Sequence, residues 1–212
     1  MDEQDADLKT FSQISQILSD GALVIVGVGG VDLAPLPAKV PTSPLVMVWG
    51  MRDGSVLHLE YRNEPESDLY RLLDYDLRLA TQYDTTVRTV VLYHSAVQSA
   101  PSTLDAGAIQ YQVENVYLAE RDGDTELDTI EQHLATGAWE PGDSLRLGVA
   151  LNMRVQNRSQ AFERVLDLIH RVPGPEETDM VAAAVIAFTG SSVTAGEGER
   201  LRKELKMVSK MA

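Results

Sequence analysis

Residues Gly54–Ser95 contain the clearest pattern of secondary structure in the chain and read GSVLHLEYRNEPESDLYRLLDYDLRLATQYDTTVRTVVLYHS. This stretch begins with Val56–Arg62, an apolar run typical of a strand, and ends with a second such run at Val87–Tyr93. Between them, Ser67 is placed to cap a helix, because its oxygen can accept a hydrogen bond from a backbone N–H of the first turn. The inward stripe of that helix is predicted to consist of Leu69, Leu72, Leu73, Leu77 and Ala80. The stretch therefore predicts a strand, a helix and a second strand.

The sequence on either side extends this alternation of strands and helices. Leu45–Trp49 is a strand-like run joined to Val56–Arg62 through Asp53-Gly54, a dipeptide that tolerates the positive φ of a tight hairpin turn. The other predicted elements are a helix ending at Leu18, a strand at Ala22–Val28, a proline-rich loop from Pro35 to Pro44, a strand at Gln110–Glu120, and helices at Leu127–Leu134, Ser144–Met153, Ser159–Val172, Glu176–Phe188 and Glu197–Lys210. The predicted class is mixed α/β, with a small sheet of mixed strand direction and a helical C-terminal third.

The composition bounds the classes of protein to which the chain can belong. Its 212 residues are 44% hydrophobic, which is enough for a substantial core, and 32 acidic against 18 basic residues give a formal charge of −14. This charge disfavours broad attraction to phosphate backbones, so a DNA site would have to be a local basic patch. Cysteine is absent, the first residues are acidic, and the longest apolar runs are too short to span a bilayer. We therefore expect a cytoplasmic protein with no membrane role.

Three motifs within Gly54–Ser95 carry a resemblance to a known family. His58–Arg62 reads His-Leu-Glu-Tyr-Arg, Arg71–Leu79 reads Arg-Leu-Leu-Asp-Tyr-Asp-Leu-Arg-Leu, and Val90–Tyr93 reads Val-Val-Leu-Tyr. In order, spacing and element type, they resemble the core of the recombination-promoting nuclease and putative transposase family, a branch of the PD-(D/E)XK nuclease superfamily. The resemblance implies a nuclease-like core in residues 1–136, with a central mixed sheet flanked by helices, and a helical C-terminal region in residues 137–212.

The resemblance also implies a site for phosphodiester hydrolysis. In this superfamily an Asp on one strand of the hairpin and the Glu of the next strand hold a divalent cation, usually Mg²⁺, and a nearby Lys or Gln positions the attacking water. Glu60 takes the place of that Glu and is the implied metal ligand, and Arg62 takes the place of the Lys or Gln. Glu60 and Arg62 are thus the implied catalytic residues, and the implied phosphate contacts are Arg62, Arg71 and Arg78.

The Asp of that pattern is missing from the sequence. It is expected on the strand before Glu60, where residues 42–46 read TSPLV. The nearest carboxylates are poorly placed, because Asp53 belongs to the hairpin turn and Asp32 lies upstream of the proline-rich loop. Arg62 stays protonated, so it can hold a phosphate but cannot act as a general base. We therefore expect a degenerate active site with weak or absent cleavage.

The residues of the implied site also have structural interpretations, which the sequence leaves open. Side chains alternate along a strand, so His58, Glu60 and Arg62 are expected on one face. Glu60 could be a solvated residue on the open face of a half-buried strand. Arg62 could pair with Glu64 or Glu66 as an exposed ion pair.

Other motifs in the chain have similarly plain interpretations. Asp74 lies between Arg71 and Arg78 at helical spacing and could pair with either. The glycines at 27, 29 and 30 are expected to form a turn, because no helix follows them to bind a phosphate. The chain's 4 histidines are dispersed, with no two at ligand spacing on one element, so no zinc site is expected.

Three functions are compatible with these observations. The first is a Mg²⁺-dependent DNA endonuclease associated with recombination or transposition, and the second is a non-catalytic descendant that binds nucleic acid or another protein. The third is a structural protein that forms homo-oligomers through its helical tail. The missing Asp favours the second for activity, whereas the resemblance favours the first for ancestry.

Overall fold

A computed structural model describes residues 34–35, 46–51, 53–189, 194, 196–201 and 203 of the chain. These residues belong to two compact units, one extending to Tyr117 and the other beginning at Leu118. The predicted N-terminal helix, the predicted strand Ala22–Val28 and the glycines at 27, 29 and 30 lie outside the described residues. The predicted division between residues 136 and 137 stays a prediction.

The first unit is built on a sheet of mixed strand direction, as predicted. Its elements are β1 (Ala34–Pro35), β2 (Val46–Gly50), β3 (Val56–Arg62), α1 (Leu69–Tyr83), β4 (Val87–Tyr93), β5 (Thr103–Asp105), β6 (Gln110–Gln112) and β7 (Glu114–Tyr117). The order across the sheet is β1, β2, β3, β4, β7. The first three strands are antiparallel neighbours, whereas β3, β4 and β7 run parallel. Parallel neighbours need a crossover connection, and α1 supplies it between β3 and β4. β1 is a short strand within the predicted proline-rich loop.

β2 and β3 form the predicted hairpin around Asp53-Gly54. Gly54 has a φ of +85°, a conformation that a residue with a Cβ adopts only with strain. The Ser55 N–H donates to Asp53 Oδ1 at 2.9 Å, which tightens the turn. The resulting register places Val46 of β2 directly opposite Glu60 of β3.

Helix α1 begins one residue later than predicted and turns a different stripe inward. Asp68, rather than Ser67, caps it by accepting a hydrogen bond from the Arg71 N–H at 3.2 Å. The buried residues of the helix are Leu69, Leu72, Tyr75, Asp76 and Leu79. Leu77 was predicted to be buried but is 54% exposed, because it lies on the opposite side of the helix from this stripe.

The prediction of one strand over Gln110–Glu120 is wrong. The segment divides at Val113, so that β6 pairs with β5 in a separate two-stranded sheet and β7 pairs with β4 in the main sheet. Val113 is buried, and its N–H donates to the carbonyl oxygen of Ser102 at 2.9 Å. The last residues of the segment, Leu118–Glu120, form a 3-10 helix.

The second unit is helical, as predicted. Its helices are α2 (Gly123–Thr136), α3 (Pro141–Val149), α4 (Arg158–Arg171) and α5 (Pro175–Thr189), with a 3-10 turn at Ala150–Asn152 after α3. The core between them contains Leu127, Ile130, Leu147, Phe162, Val165, Ile169, Val181 and Val185. Residues 196–201 are also helical, and the end of the predicted last helix lies outside the described residues. Within the described part of the chain, no helix combines the length and apolar character needed to cross a membrane.

Candidate functional site

Glu60 lies near the end of β3 and is 2% exposed. Two of its neighbours along the strand share its face, as predicted from the alternation of side chains. His58 Nε2 lies 3.4 Å from Glu60 Oε1, and Arg62 Nε lies 3.1 Å from Glu60 Oε2. The interpretation of Glu60 as a solvated residue on an open face is therefore wrong.

Arg71 binds the Glu60 carboxylate from helix α1. Its Nη1 donates to Oε1 at 3.0 Å and its Nη2 to Oε2 at 2.7 Å, a bidentate pairing of a planar guanidinium with a planar carboxylate. Arg71 lies in the first turn of α1, where its own backbone N–H donates to the capping residue Asp68. Arg71 Nη2 also donates to Glu66 Oε2 at 2.6 Å, in the loop between strand and helix.

The other predicted ion pairs can be compared directly with the structure. The pairing of Arg62 with Glu66 is confirmed, and so is that of Arg78 with Asp74, at 2.7 Å between Nη2 and Oδ2. Of the two arginines offered to Asp74, Arg78 is the one that pairs with it, whereas Arg71 pairs with Glu60 and Glu66. Each of the three arginines proposed as phosphate contacts thus forms an ion pair with a carboxylate of the protein, and its contact with phosphate stays a prediction.

Sequence reasoning missed Asp76, a buried residue of α1 that contacts His58. His58 Nδ1 and Asp76 Oδ1 are 2.7 Å apart, and the hydroxyls of Thr89 and Tyr111 both donate to Asp76 Oδ2. Asp76 is 6% exposed. A signal was present in the sequence, because Asp76 follows Leu69 and Leu72 at the helical spacing of an inward stripe.

Both ring nitrogens of His58 face carboxylates, one from Asp76 and one from Glu60. Only the protonated imidazole can offer a proton to both sides. Burial by itself lowers the pKa of His58, but the two carboxylates outweigh it and the pKa is raised. Burial likewise raises the pKa of Glu60, but His58 and Arg71 outweigh it and lower the pKa from 4.5 to about 2.

These contacts form one ion-pair network, which we call the Glu60 network. Its carboxylates belong to Glu60, Glu66 and Asp76, and its cations to His58, Arg62 and Arg71. With His58 protonated, three negative and three positive charges balance. Buried charges are tolerated when they are paired and hydrogen-bonded in this way. The network joins β3 to α1 through charge as well as apolar packing.

The donor set around Glu60 does not fit a hard divalent cation. Mg²⁺ is held by carboxylate oxygens and water, and both Glu60 oxygens already accept hydrogen bonds from Arg71. The position opposite Glu60 on β2 is the buried side chain of Val46, where a second carboxylate would be needed. Asp53 belongs to the hairpin turn, and Asp32 lies outside the described residues. Magnesium at Glu60, which these contacts disfavour, stays a prediction.

A second group of metal-ligating atoms lies in the helical unit. His133, Glu140 and Asp143 each offer one ligand atom, and these atoms lie within 4.8 Å of one another. Nothing in this group indicates magnesium in particular, since one of its donors is an imidazole nitrogen.

No family model, no curated protein and no solved structure matches the chain. The resemblance carried by His58–Arg62, Arg71–Leu79 and Val90–Tyr93 therefore stays a prediction.

Proposed function

We propose that the chain is a non-catalytic module on a PD-(D/E)XK nuclease-like scaffold, related to the recombination-promoting nucleases and putative transposases. Support comes from the arrangement of the motif-bearing elements. An antiparallel hairpin is followed by a helix that crosses to a parallel strand, and Glu60 lies on the second strand of the hairpin. This is the position that the resemblance assigns to a metal-binding Glu.

The observation that carries the proposal is the bidentate contact between Arg71 and Glu60. Cleavage in this superfamily needs a cation that polarises the phosphoryl group and helps to generate the nucleophile. Here a guanidinium takes both oxygens of the carboxylate that would hold the cation. Arg62, in the place of the Lys or Gln, cannot accept a proton from water. In this proposal Glu60 keeps the position that the resemblance assigns to it, but its charge stabilises the fold through Arg71.

The partner that this surface favours is a protein rather than DNA. Affinity for duplex DNA comes largely from Lys and Arg neutralising phosphates, whereas this chain carries a formal charge of −14. Arg62, Arg71 and Arg78 would have to leave their carboxylates to reach a phosphate. On α1, by contrast, Tyr70 and Leu77 are 59% and 54% exposed, as side chains at a protein contact often are in the free state. A cytoplasmic location is part of the proposal, since a chain without cysteine needs no oxidising compartment.

A cleavage assay on the full chain tests the proposal. Supercoiled plasmid is incubated with the protein and Mg²⁺ or Mn²⁺, beside Glu60→Gln and the control Glu64→Gln, which changes an exposed carboxylate in the adjoining loop. We expect no metal-dependent nicking in any sample. In calorimetric titrations with Mg²⁺ we expect no binding that depends on Glu60.

Metal-dependent nicking that persists in Glu64→Gln and disappears in Glu60→Gln would overturn the proposal and establish the endonuclease. A salt-dependent shift of DNA without cleavage would retain the loss of catalysis but replace the protein partner with nucleic acid. Nicking would therefore select the endonuclease, and a shift without nicking would select the nucleic-acid-binding module.

A further inference from the structure

We propose that His133, Glu140 and Asp143 form a site for a divalent transition-metal ion of the zinc class, in the helical unit and independent of Glu60. The three ligand atoms, an imidazole nitrogen and two carboxylate oxygens, lie within 4.8 Å of one another. His133 Nδ1 is 2.8 Å from Asp143 Oδ2. Zinc binds such nitrogen and oxygen donors at about 2.0–2.2 Å, so ligand atoms around one ion lie a few ångströms apart.

The local fold brings these residues together from two helices. His133 lies in the last turn of α2, which ends at Gly137 with a φ of +69°, a left-handed cap that favours glycine. Three residues separate Gly137 from Pro141, which begins α3 with Glu140 as its N-cap. Asp143, in the first turn of α3, is consequently carried towards the imidazole.

Helix capping explains part of this geometry but not the histidine. Glu140 and Asp143 form a capping box, in which Asp143 Oδ2 accepts a hydrogen bond from the Glu140 N–H at 2.9 Å. That motif is complete without a third side chain. His133 Nδ1 forms a hydrogen bond with the same oxygen, a contact whose place the ion would take, and the imidazole is one-fifth exposed whereas Asp143 is fully buried. A buried carboxylate aligned with an accessible imidazole is a pair of donors that a transition metal can bridge.

The charged side chains around the group carry an excess of negative charge that a divalent cation would neutralise. Arg146 Nη1 contacts Asp143 Oδ1 at 2.8 Å, and Arg146 Nε contacts Glu126 Oε2 at 3.1 Å. Counting Glu126, Glu140 and Asp143 against Arg146, and taking His133 as neutral, three negative charges and one positive leave −2. A divalent ion balances this charge.

Arg146 also holds the ligand carboxylate in place. Because Arg146 binds Oδ1 and the backbone N–H of Glu140 binds Oδ2, the Asp143 carboxylate is fixed before any ion arrives. Carboxylate ligands in metal sites are commonly hydrogen-bonded in this way. Glu140 is exposed, so the outer side of the group is open to water ligands.

Calorimetric titration of the chelator-treated full chain with Zn²⁺ tests the site, with Mg²⁺ in a parallel titration. We expect one saturable zinc site per chain and no comparable magnesium site. His133→Gln and Glu140→Gln should each weaken zinc binding at least about tenfold, because even the loss of a supporting residue typically costs that much. The matched control is His170→Gln, which removes an exposed histidine from α4 of the same unit and should bind zinc as the wild type does.

Two further measurements keep the result interpretable. Glu140 is exposed, so Glu140→Gln should retain the fold, as circular dichroism will show, even if His133→Gln does not. Glu60→Gln should bind zinc normally, which separates this site from the proposed function. The absence of saturable zinc binding in the wild type, or undiminished binding in both His133→Gln and Glu140→Gln, would overturn the proposal.

Discussion

Replacing Glu60 by Gln should destabilise the first unit by about 3 kcal/mol. Ionised Glu60 has its pKa lowered from 4.5 to about 2, and each pKa unit corresponds to about 1.4 kcal/mol of preferential stabilisation of the charged form. Glutamine preserves the side-chain volume but removes the charge and directs an amide N–H₂ towards cations. Arg62 and Arg71 would then share Glu66 alone. Losing one partner of a buried ion pair costs about 3–5 kcal/mol, in agreement with this figure.

The change can be measured by urea unfolding followed through tryptophan fluorescence. Trp49 is 1% exposed on β2 and reports on the unit that contains Glu60, so a Trp139→Phe background removes the signal of the helical unit. With an m-value of about 1–3 kcal/mol/M, the midpoint should fall by about 1–3 M. Glu64→Gln, an exposed control in the adjoining loop, should stay within about 0.5 kcal/mol of the wild type.

The sign of this change distinguishes a structural carboxylate from a catalytic one. A catalytic carboxylate that has no cation bound usually destabilises the folded protein, so its removal leaves the protein equally stable or more stable. A Glu60→Gln variant as stable as the wild type, or more stable, would refute the reasoning that the Glu60 network stabilises the fold.

Two other consequences can be checked with the same urea assay. Because the pKa of Glu60 is lowered, its contribution to the free energy of unfolding is complete above pH 4.5 and is lost as the pH falls towards about 2. Because the pKa of His58 is raised, its contribution is complete below pH 6.5 and is lost as the pH rises through the pKa of the folded state. Stability should therefore be greatest between these limits, and a profile that is the same in Glu60→Gln would count against the network. Leu72→Ala should cost about 2–5 kcal/mol because Leu72 is fully buried, whereas Leu77→Ala should change stability by less than about 0.5 kcal/mol. Equal losses at the two leucines would contradict the observed orientation of α1.

Local pattern was sufficient for much of the first unit. The alternation of side chains placed His58, Glu60 and Arg62 on one face, and Asp53-Gly54 located the hairpin turn. Such features depend on backbone periodicity and on the steric freedom of glycine, both of which are properties of a few consecutive residues. The absence of a carboxylate from residues 42–46 could also be read directly, because the resemblance places the expected Asp by its spacing in the sequence from Glu60.

The inward face of α1 shows where local pattern was insufficient. Leu69, Leu72 and Leu79 are at helical spacing, but so are other leucines of the same helix, and the prediction included Leu77 among the buried ones. Contacts outside the helix decide which face of α1 is buried. Burial of Asp76 is favourable only where His58, Thr89 and Tyr111 supply its hydrogen-bond partners.

The order and type of most elements, the hairpin, and the single carboxylate at Glu60 could therefore be predicted from local sequence. The role of Glu60 depends on tertiary contacts, because the pairing of Arg71 with Glu60 and of Asp76 with His58 joins a helix to a strand. The same holds for His133 and Asp143, whose meeting depends on the turn between two helices. Charge–charge energies depend on distance and burial, and neither quantity exists for a side chain until its neighbours are in place.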